Sequence, residues 1–353
     1  MKRLSGILTL LLLLTVAGTQ RVQAFSFALD SIAAMGKVPR AAINVYRWGD
    51  RFFNTYDSTY VVGTGYKFNV KARTETWQDY YGFILNEDTR LDMVSDPCTS
   101  MGFYVTYLAL SLGYDLNISK YLGADPRARK RFNFGFTCSL LAADFYFISN
   151  DVGTRINYFG TPEDHVNPDL HFNGINCSSW GVETYYFFNH KKYSQAAAFS
   201  YSKIQKRSAG SFFAGISYSE QNYKFDFSDT PDYIKDELPE SWGGYTYRVL
   251  ARNYALKIGY GHNFVFPHNW VLGISEAPMV GIRHGYINNP NEERVSFAFS
   301  NRLRAGAAYN HNNRLFVGLN GELNLGFIRE RDHSLLNMNW TFSASVGYRF
   351  NIW

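Results

Sequence analysis

The chain has 353 residues, 18% of them aromatic and 18% charged, and a formal net charge of +5. So small an excess gives no reason to expect a nucleic-acid partner. Cys98, Cys138 and Cys177 show no CxxC or metal-ligand spacing, so no cofactor and no metal is expected, and at most one bridge could form among them.

Lys2 and Arg3 precede an apolar run from Ile7 to Ala17, and Val22-Gln23-Ala24 supplies a small-x-small cleavage signal. The run is too short to span a hydrocarbon core of about 30 Å as a helix, so residues 1–24 read as a cleaved signal peptide; an uncleaved anchor is the alternative. Cleavage after Ala24 removes Lys2, Arg3 and Arg21 and lowers the formal charge of +5 by three, to +2. Residues 25–55 do not alternate. Val45, Trp48 and Phe52 fall at helical spacing, which predicts a short, partly helical periplasmic segment.

From residue 56 onward no apolar stretch reaches the length of a membrane helix. Abundant aromatics with a slightly negative mean hydropathy suit strands that alternate between lipid and a wet lumen, although an aromatic soluble sandwich would look similar. Strands are expected near 60–73, 76–90, 101–118, 131–141, 143–157 and 173–189, then 211–227, 247–264, 270–286, 295–309, 314–329 and 336–352. In the third, Tyr104, Thr106, Leu108, Leu110, Leu112, Tyr114 and Leu116 are placed on one face, opposite Ala109, Ser111, Gly113 and Asp115. Residues 190–210 interrupt the pattern. They read as a structured periplasmic or in-barrel connection, because an extra strand there would put the long 158–172 connection on the short-turn side. Asp226 to Tyr245 reads as a long outer loop, acidic and aromatic, whose spacing matches no calcium loop.

Glu276 falls on the apolar parity of Trp270, Leu272 and Ile274, and a bulge near Pro278 would turn it inward. Phe266-Pro267-His268-Asn269 and Asn310-His311-Asn312-Asn313 are turn signals. The last strand is the plainest: Leu336, Met338, Trp340, Phe342, Ala344, Val346, Tyr348, Phe350 and Ile352 alternate with polar or small residues. The expected fold is all-β: an antiparallel transmembrane β-barrel of about twelve strands, ten to fourteen being compatible, over 56–353. A closed sheet gives every backbone amide a partner in hydrocarbon. The expected address is the outer membrane of a Gram-negative bacterium. Expected partners are outer-membrane lipids, lipopolysaccharide and, during insertion, the barrel assembly machinery, the barrel itself being monomeric.

Two blocks carry a resemblance. Tyr56-Asp57-Ser58-Thr59-Tyr60-Val61 is one; the other runs from Tyr185-Tyr186-Phe187-Phe188-Asn189 through Lys192-Tyr193-Ser194 and Ala197-Ala198-Phe199 to Gln205-Lys206-Arg207-Ser208-Ala209-Gly210-Ser211. In these the chain resembles a Bacteroidota outer-membrane family, domain of unknown function 4421. The resemblance implies a barrel of that type and transfers no activity. It singles out Tyr193, Ser194, Gln205, Lys206, Arg207, Ser208 and Gly210 as a family-like segment.

The best candidate constellation is lumenal: Arg302, Arg304, Glu322 and Arg349 with Asn320, Asn324, Asn337 and Asn339. A turn at 310–313 would set Arg302 nearly opposite Glu322. The structural reading is a polar network filling a narrow barrel, and the functional one is a cationic constriction that selects anions. Two functions follow: a narrow pore or transporter for small solutes, or a structural or surface-binding barrel with a filled lumen. A lipid hydrolase would need a Ser or Thr beside a His base; His311-Asn312-Asn313 offers none, and no catalytic residue is assigned.

Overall fold

A computed structural model describes residues 55–351 apart from 87, 108–109, 120–129, 151–152, 289–293 and 331. The expected signal peptide and the expected helix around Trp48 lie outside the described residues. Residues Tyr56–Phe350 form one compact unit.

Its strands, in chain order, are β1 (Val61–Gly63), β2 (Phe68–Leu85), β3 (Thr89–Ser95), β4 (Cys98–Tyr107), β5 (Leu110–Asn117), β6 (Lys130–Thr137), β7 (Leu141–Asn150), β8 (Thr154–Gly160) and β9 (His165–Val166). They continue as β10 (Leu170–Phe172), β11 (Ile175–Phe187), β12 (Lys203–Gln205), β13 (Ala209–Asp226), β14 (Thr246–Phe266), β15 (Trp270–Ile287), β16 (Arg294–His311), β17 (Leu315–Arg329) and β18 (His333–Phe350). Two short helices, α1 (Gln195–Phe199) and α2 (Asp232–Lys235), complete the described elements with a 3-10 turn at Glu240–Trp242.

Twelve strands close an antiparallel barrel in the order β2, β18, β17, β16, β15, β14, β13, β11, β7, β6, β5, β4, and β4 returns to pair with β2. Closure leaves no free edge, which is what a bilayer demands of a sheet. One end carries tight connections. His268 and Asn269, and Asn312 and Asn313, all take positive φ there, a conformation Asn adopts at small cost. At the other, long-loop end the sheet branches. The second half of β2 pairs with β3, which continues to β8, β9 and β10.

Alternation decides which side chain meets lipid. Outward residues such as Phe297 (71% exposed), Phe299, Leu303, Ile282, Val280, Phe342 and Val346 form an apolar outer surface, while Ser343, Ser345 and Thr341 are buried within. This is the outward-apolar, inward-polar construction of a transmembrane β-barrel.

Twelve strands close the barrel, but two boundaries differ from those read in the sequence and offset each other, and the expected 143–157 strand is also divided: β7 ends at Asn150 and β8, from Thr154, pairs with β3 outside the barrel ring. Residues 76–85 and the last six of 60–73 form one strand, β2; Val61–Gly63 instead pairs with β12 in a separate two-stranded sheet. No turn residue marks a break near Glu75, which faces inward and pairs with Arg73. Conversely, the expected 101–118 strand is two. Tyr107 pairs with Leu110, and parity resets across the connection. Phe103, Val105 and Tyr107 therefore face outward with Leu112, Tyr114 and Leu116, while Tyr104 and Thr106 point in. No Gly, Pro or Asn announces that turn.

The bulge expected at Pro278 is also absent. Lys257 pairs with Met279 and Tyr260 with Glu276, an unchanged register, so Pro278 only interrupts the ladder where it lacks an N–H. Glu276 keeps its outward parity and accepts a 3.1 Å hydrogen bond from Asn301 Nδ2.

Candidate functional site

The lumen is built in three storeys. At the long-loop end the inward faces of β2, β3, β8, β11, β13 and β14 carry Phe83, Leu85, Leu91, Met93, Phe225 and Tyr247 into one buried apolar cluster. The outer loop folds over it, with Ile234 of α2, Leu238 and Trp242 buried against it. Trp242 lies 5.9 Å from Phe83 and 4.8 Å from Tyr247, centroid to centroid. The long acidic and aromatic loop is thus a cap, its acids outside and its apolar residues within.

At the short-turn end the segment from Tyr193 to Gln205 enters the barrel as a plug. α1 is Gln-Ala-Ala-Ala-Phe, every residue buried. Four successive strands make room for it with inward glycines: a methyl at Gly261, Gly273, Gly306 or Gly318 would overlap Tyr193, Ala198, Phe199 or Tyr201 respectively. The in-barrel alternative for 190–210 is the one the chain adopts.

Gln205 holds the plug's two ends together. Its Oε1 accepts from the Ser194 N–H (3.1 Å) and from Asn263 Nδ2 (3.1 Å), and its Nε2 donates to the carbonyls of Lys192 (2.6 Å) and Arg207 (2.9 Å). Ser208 Oγ accepts from the Val265 N–H, and the Gly210 carbonyl accepts from Asn189 Nδ2. Tyr193 is buried beside Phe187, whereas Lys206 and Arg207 remain exposed. The family-like segment is therefore mainly the plug's fastening.

Between cap and plug lies a polar chamber of about 450 Å³, reached at one end by Tyr81 and Tyr223 and at the other by Gln195 and Phe199. Its centre is Glu183 on β11, whose side chain is 3% exposed. Arg302 binds it bidentately from β16, at 2.6 and 2.8 Å, and Lys257 of β14 donates to the same carboxylate. Since β13, β14 and β15 separate β11 from β16 in the sheet, this contact crosses the lumen. Arg302 also donates to Asn324 Oδ1 (2.8 Å), and Arg304 reaches Glu322 at 3.4 Å while its guanidinium lies over Phe199. Tyr185 donates to Asp144, and Gln195 of the plug donates to Tyr185 (2.8 Å).

Of the residues singled out in sequence, Arg302, Arg304, Glu322 and Asn324 come together. The register differs by two residues: Arg304, not Arg302, is directly opposite Glu322. The turn occupies 312–314, so its centre lies later than that of the expected 310–313 turn, which moves every pairing along the partner strand. Asn320 donates to the Tyr201 hydroxyl of the plug (2.6 Å). Arg349 stands apart. It is 1% exposed and gives its donors to the carbonyls of Tyr201 and Asn313 and to Asn310 Oδ1, with Phe316 beneath it. Asn337 and Asn339 sit higher, toward Tyr223 and Asp79.

Glu183 and Lys257 were not singled out, though each is a charged residue in the middle of a long alternating strand, which is a usable signal. A second network on the far wall joins Arg73 to Glu75 (3.2 Å), Asp115 (3.0 Å) and Tyr104. Among the described residues, the chamber's cations are Lys71, Arg73, Arg302 and Arg304. Glu75, Asp79, Asp144, Glu183 and Glu322 face them, so the lining carries no excess of positive charge. Cys98, Cys138 and Cys177 are buried and unbridged. No cluster of three His, Cys, Asp or Glu among the described residues is arranged to hold a metal.

A family model matches residues 55–350. The chain belongs to the family described as Domain of unknown function (DUF4421). Both blocks that carried the resemblance fall inside the DUF4421 match. No curated protein matches the chain. Among solved structures it is similar to the outer membrane protease OmpT from Escherichia coli, at 9% identity and a TM-score of 0.35, over 80% of this chain and 96% of that one. It is also similar to the β domain of the Bordetella autotransporter BrkA, at 11% identity, a TM-score of 0.31, and coverage of 80% and 100%. The Pseudomonas putida toluene transporter TodX matches at 9% identity and a TM-score of 0.28, over 86% and 93%. Likeness at this level carries no argument about activity.

Proposed function

We propose that this protein is a barrel of a Gram-negative outer membrane that handles a small polar solute through a gated lumen and does not form a standing pore. The observation behind this reading is the interrupted lumen: a packed apolar cap above, a fastened plug below, and a polar chamber of about 450 Å³ between them. That volume suits a small solute. Short turns belong to the periplasmic side and long loops outside, so the cap faces the medium and the plug the periplasm. Lipids and lipopolysaccharide surround the monomer, which the barrel assembly machinery inserts. Because acids and bases line the chamber in nearly equal numbers, the solute it suits is neutral or zwitterionic.

Purified protein in planar bilayers tests this. The wild type gives no stable conductance. Replacing residues 194–204 by a short Gly-Ser linker, together with Ile234→Gly, Leu238→Gly and Trp242→Gly, opens stepwise currents. In that open background Arg302→Ser/Arg304→Ser shifts selectivity toward cations. Stable wild-type conductance would mean the lumen is an ordinary pore and would sink the gate.

A second reading, a structural barrel with a filled lumen, is favoured by the Arg302–Glu183 contact that ties β16 to β11 through the lumen. It predicts that the released variant also stays silent. Catalysis is not part of either reading. His311 contacts Asn312 in a turn, and His333 is packed against Trp242 and Tyr247.

A further inference from the structure

A set of cations gathers around the plug's fastening. Lys192 and Arg207 lie over one ring, that of Tyr60, at 5.2 and 5.8 Å from its centroid. Lys203 lies over Tyr56 at 5.0 Å, and Lys206 Nζ donates to the Ser58 carbonyl at 3.3 Å. Lys191 is exposed beside them, its carbonyl accepting from the Asp57 N–H. Four exposed cations thus gather on two neighbouring segments, 191–192 and 206–207, with Asp57 beside them. Like charges brought together repel, and nothing in the plug's own hydrogen bonding requires Lys192, Lys206 or Arg207 to be charged: their main chains are what Gln205 and Tyr60 hold.

Position identifies the counter-charge. The patch begins where the lipid-facing aromatics end. Phe188 and Phe212 are 61% and 64% exposed, their strands join through the Phe188 N–H to the Phe212 carbonyl, and Phe212 meets Tyr260 at 4.9 Å. Trp270 and Tyr309 carry the same belt onward at 5.1 Å. Lys191 and Lys192 follow Phe188 by three and four residues, and Arg207 precedes Phe212 by five. Aromatic rings at a barrel rim mark the headgroup level, so cations just beyond them stand among phosphates.

We propose that the patch of Lys191, Lys192, Lys206 and Arg207 binds the headgroup phosphates of anionic phospholipid in the leaflet at the plug end. Lys192 and Arg207 share the face of Tyr60, which packs their stems on a ring while their charged heads stay exposed. The site is independent of whether the lumen conducts.

Native mass spectrometry of the folded full-length barrel, released from detergent holding phosphatidylglycerol and phosphatidylcholine with identical chains, tests it. Wild type retains phosphatidylglycerol over phosphatidylcholine by about fivefold or more, and Lys192→Ser/Lys206→Ser/Arg207→Ser reduces this to about twofold or less. The charge-keeping Lys192→Arg/Lys206→Arg variant keeps the preference, and heat-modifiable gel migration reports that each barrel is closed. Should the triple variant fail to fold, Lys206→Ser alone lowers the ratio part-way. Equal retention of both lipids by wild type, or a preference unmoved by the serine variants, overturns the proposal. Stripping of the bound lipid by millimolar inorganic phosphate would assign the site to a free anion instead and overturn it too.

Discussion

Glu183 concentrates more of the lumen's electrostatics than any arginine near it, because Arg302 and Lys257 both spend their charge on it. A carboxylate and its cations withdrawn from water hold only as a set, and removing one partner strands the others. Glu183→Gln should therefore cost about 3 kcal/mol in the urea unfolding of the barrel, and adding Lys257→Met should recover part of it. A loss below about 1 kcal/mol would mean the chamber hydrates freely. Gln205 is the neutral counterpart. Gln205→Ala leaves the Lys192 and Arg207 carbonyls and the Ser194 amide without their partner, each worth about 1 kcal/mol or more when buried. The expected result is protease access to the 193–205 segment in a barrel that still migrates as folded. Asp57, beside that fastening, gives a pH test. Hydrogen bonds from the Thr59 hydroxyl and amide, then the charges of Lys192 and Arg207, hold its carboxyl below its ordinary value of 3.8. A depressed carboxylate contributes fully above its unfolded value and is lost only as pH falls through its folded one. Plug protection should then stay constant from about pH 7 to pH 4.5 and fade below; loosening nearer pH 6 would point to another group.

The plug shows what an element needs beyond its own sequence. α1 is one turn of five residues, too short to persist alone, and it is helical because the barrel wall surrounds it. The wall in turn is shaped for it by glycines on β14, β15, β16 and β17. Gly273→Ala/Gly306→Ala should expel the plug while leaving strand pairing intact, detected as trypsin cleavage after Lys203 or Lys206 in an otherwise resistant barrel. Intact resistance would show that the wall yields instead. Strands were legible wherever alternation ran between turn residues, as in β14 to β18, since period two is imposed by lipid on one side. It failed at Tyr107–Leu110, where the reversal is made by ordinary apolar residues, and near Glu75, where an inward charge resembled a break. Arg302, Arg304 and Glu322 were legible as a group because they share neighbouring strands. Glu183 was not, because its partner lies across the lumen, and no local pattern encodes a contact between walls.

For the whole molecule, the outer loop and the inner segment close opposite ends by different means. The cap is an apolar core, so it weakens with anything that solvates Trp242, while the plug depends on directional hydrogen bonds. A protease site placed at Asp236, in the exposed shell of the cap, should be cut on intact cells; protection there would reverse the orientation. Arg349 adds a temporal dimension to this closure. It lies on the final strand, yet it is the donor to the carbonyl of Tyr201, which was synthesised far earlier. Until β18 has paired with both β17 and β2, that carbonyl has no such partner and the interior stays loose. Completion of the wall and seating of the inner segment are therefore one event, and a chain stalled one strand short would carry an unfastened interior as the mark of its incompleteness.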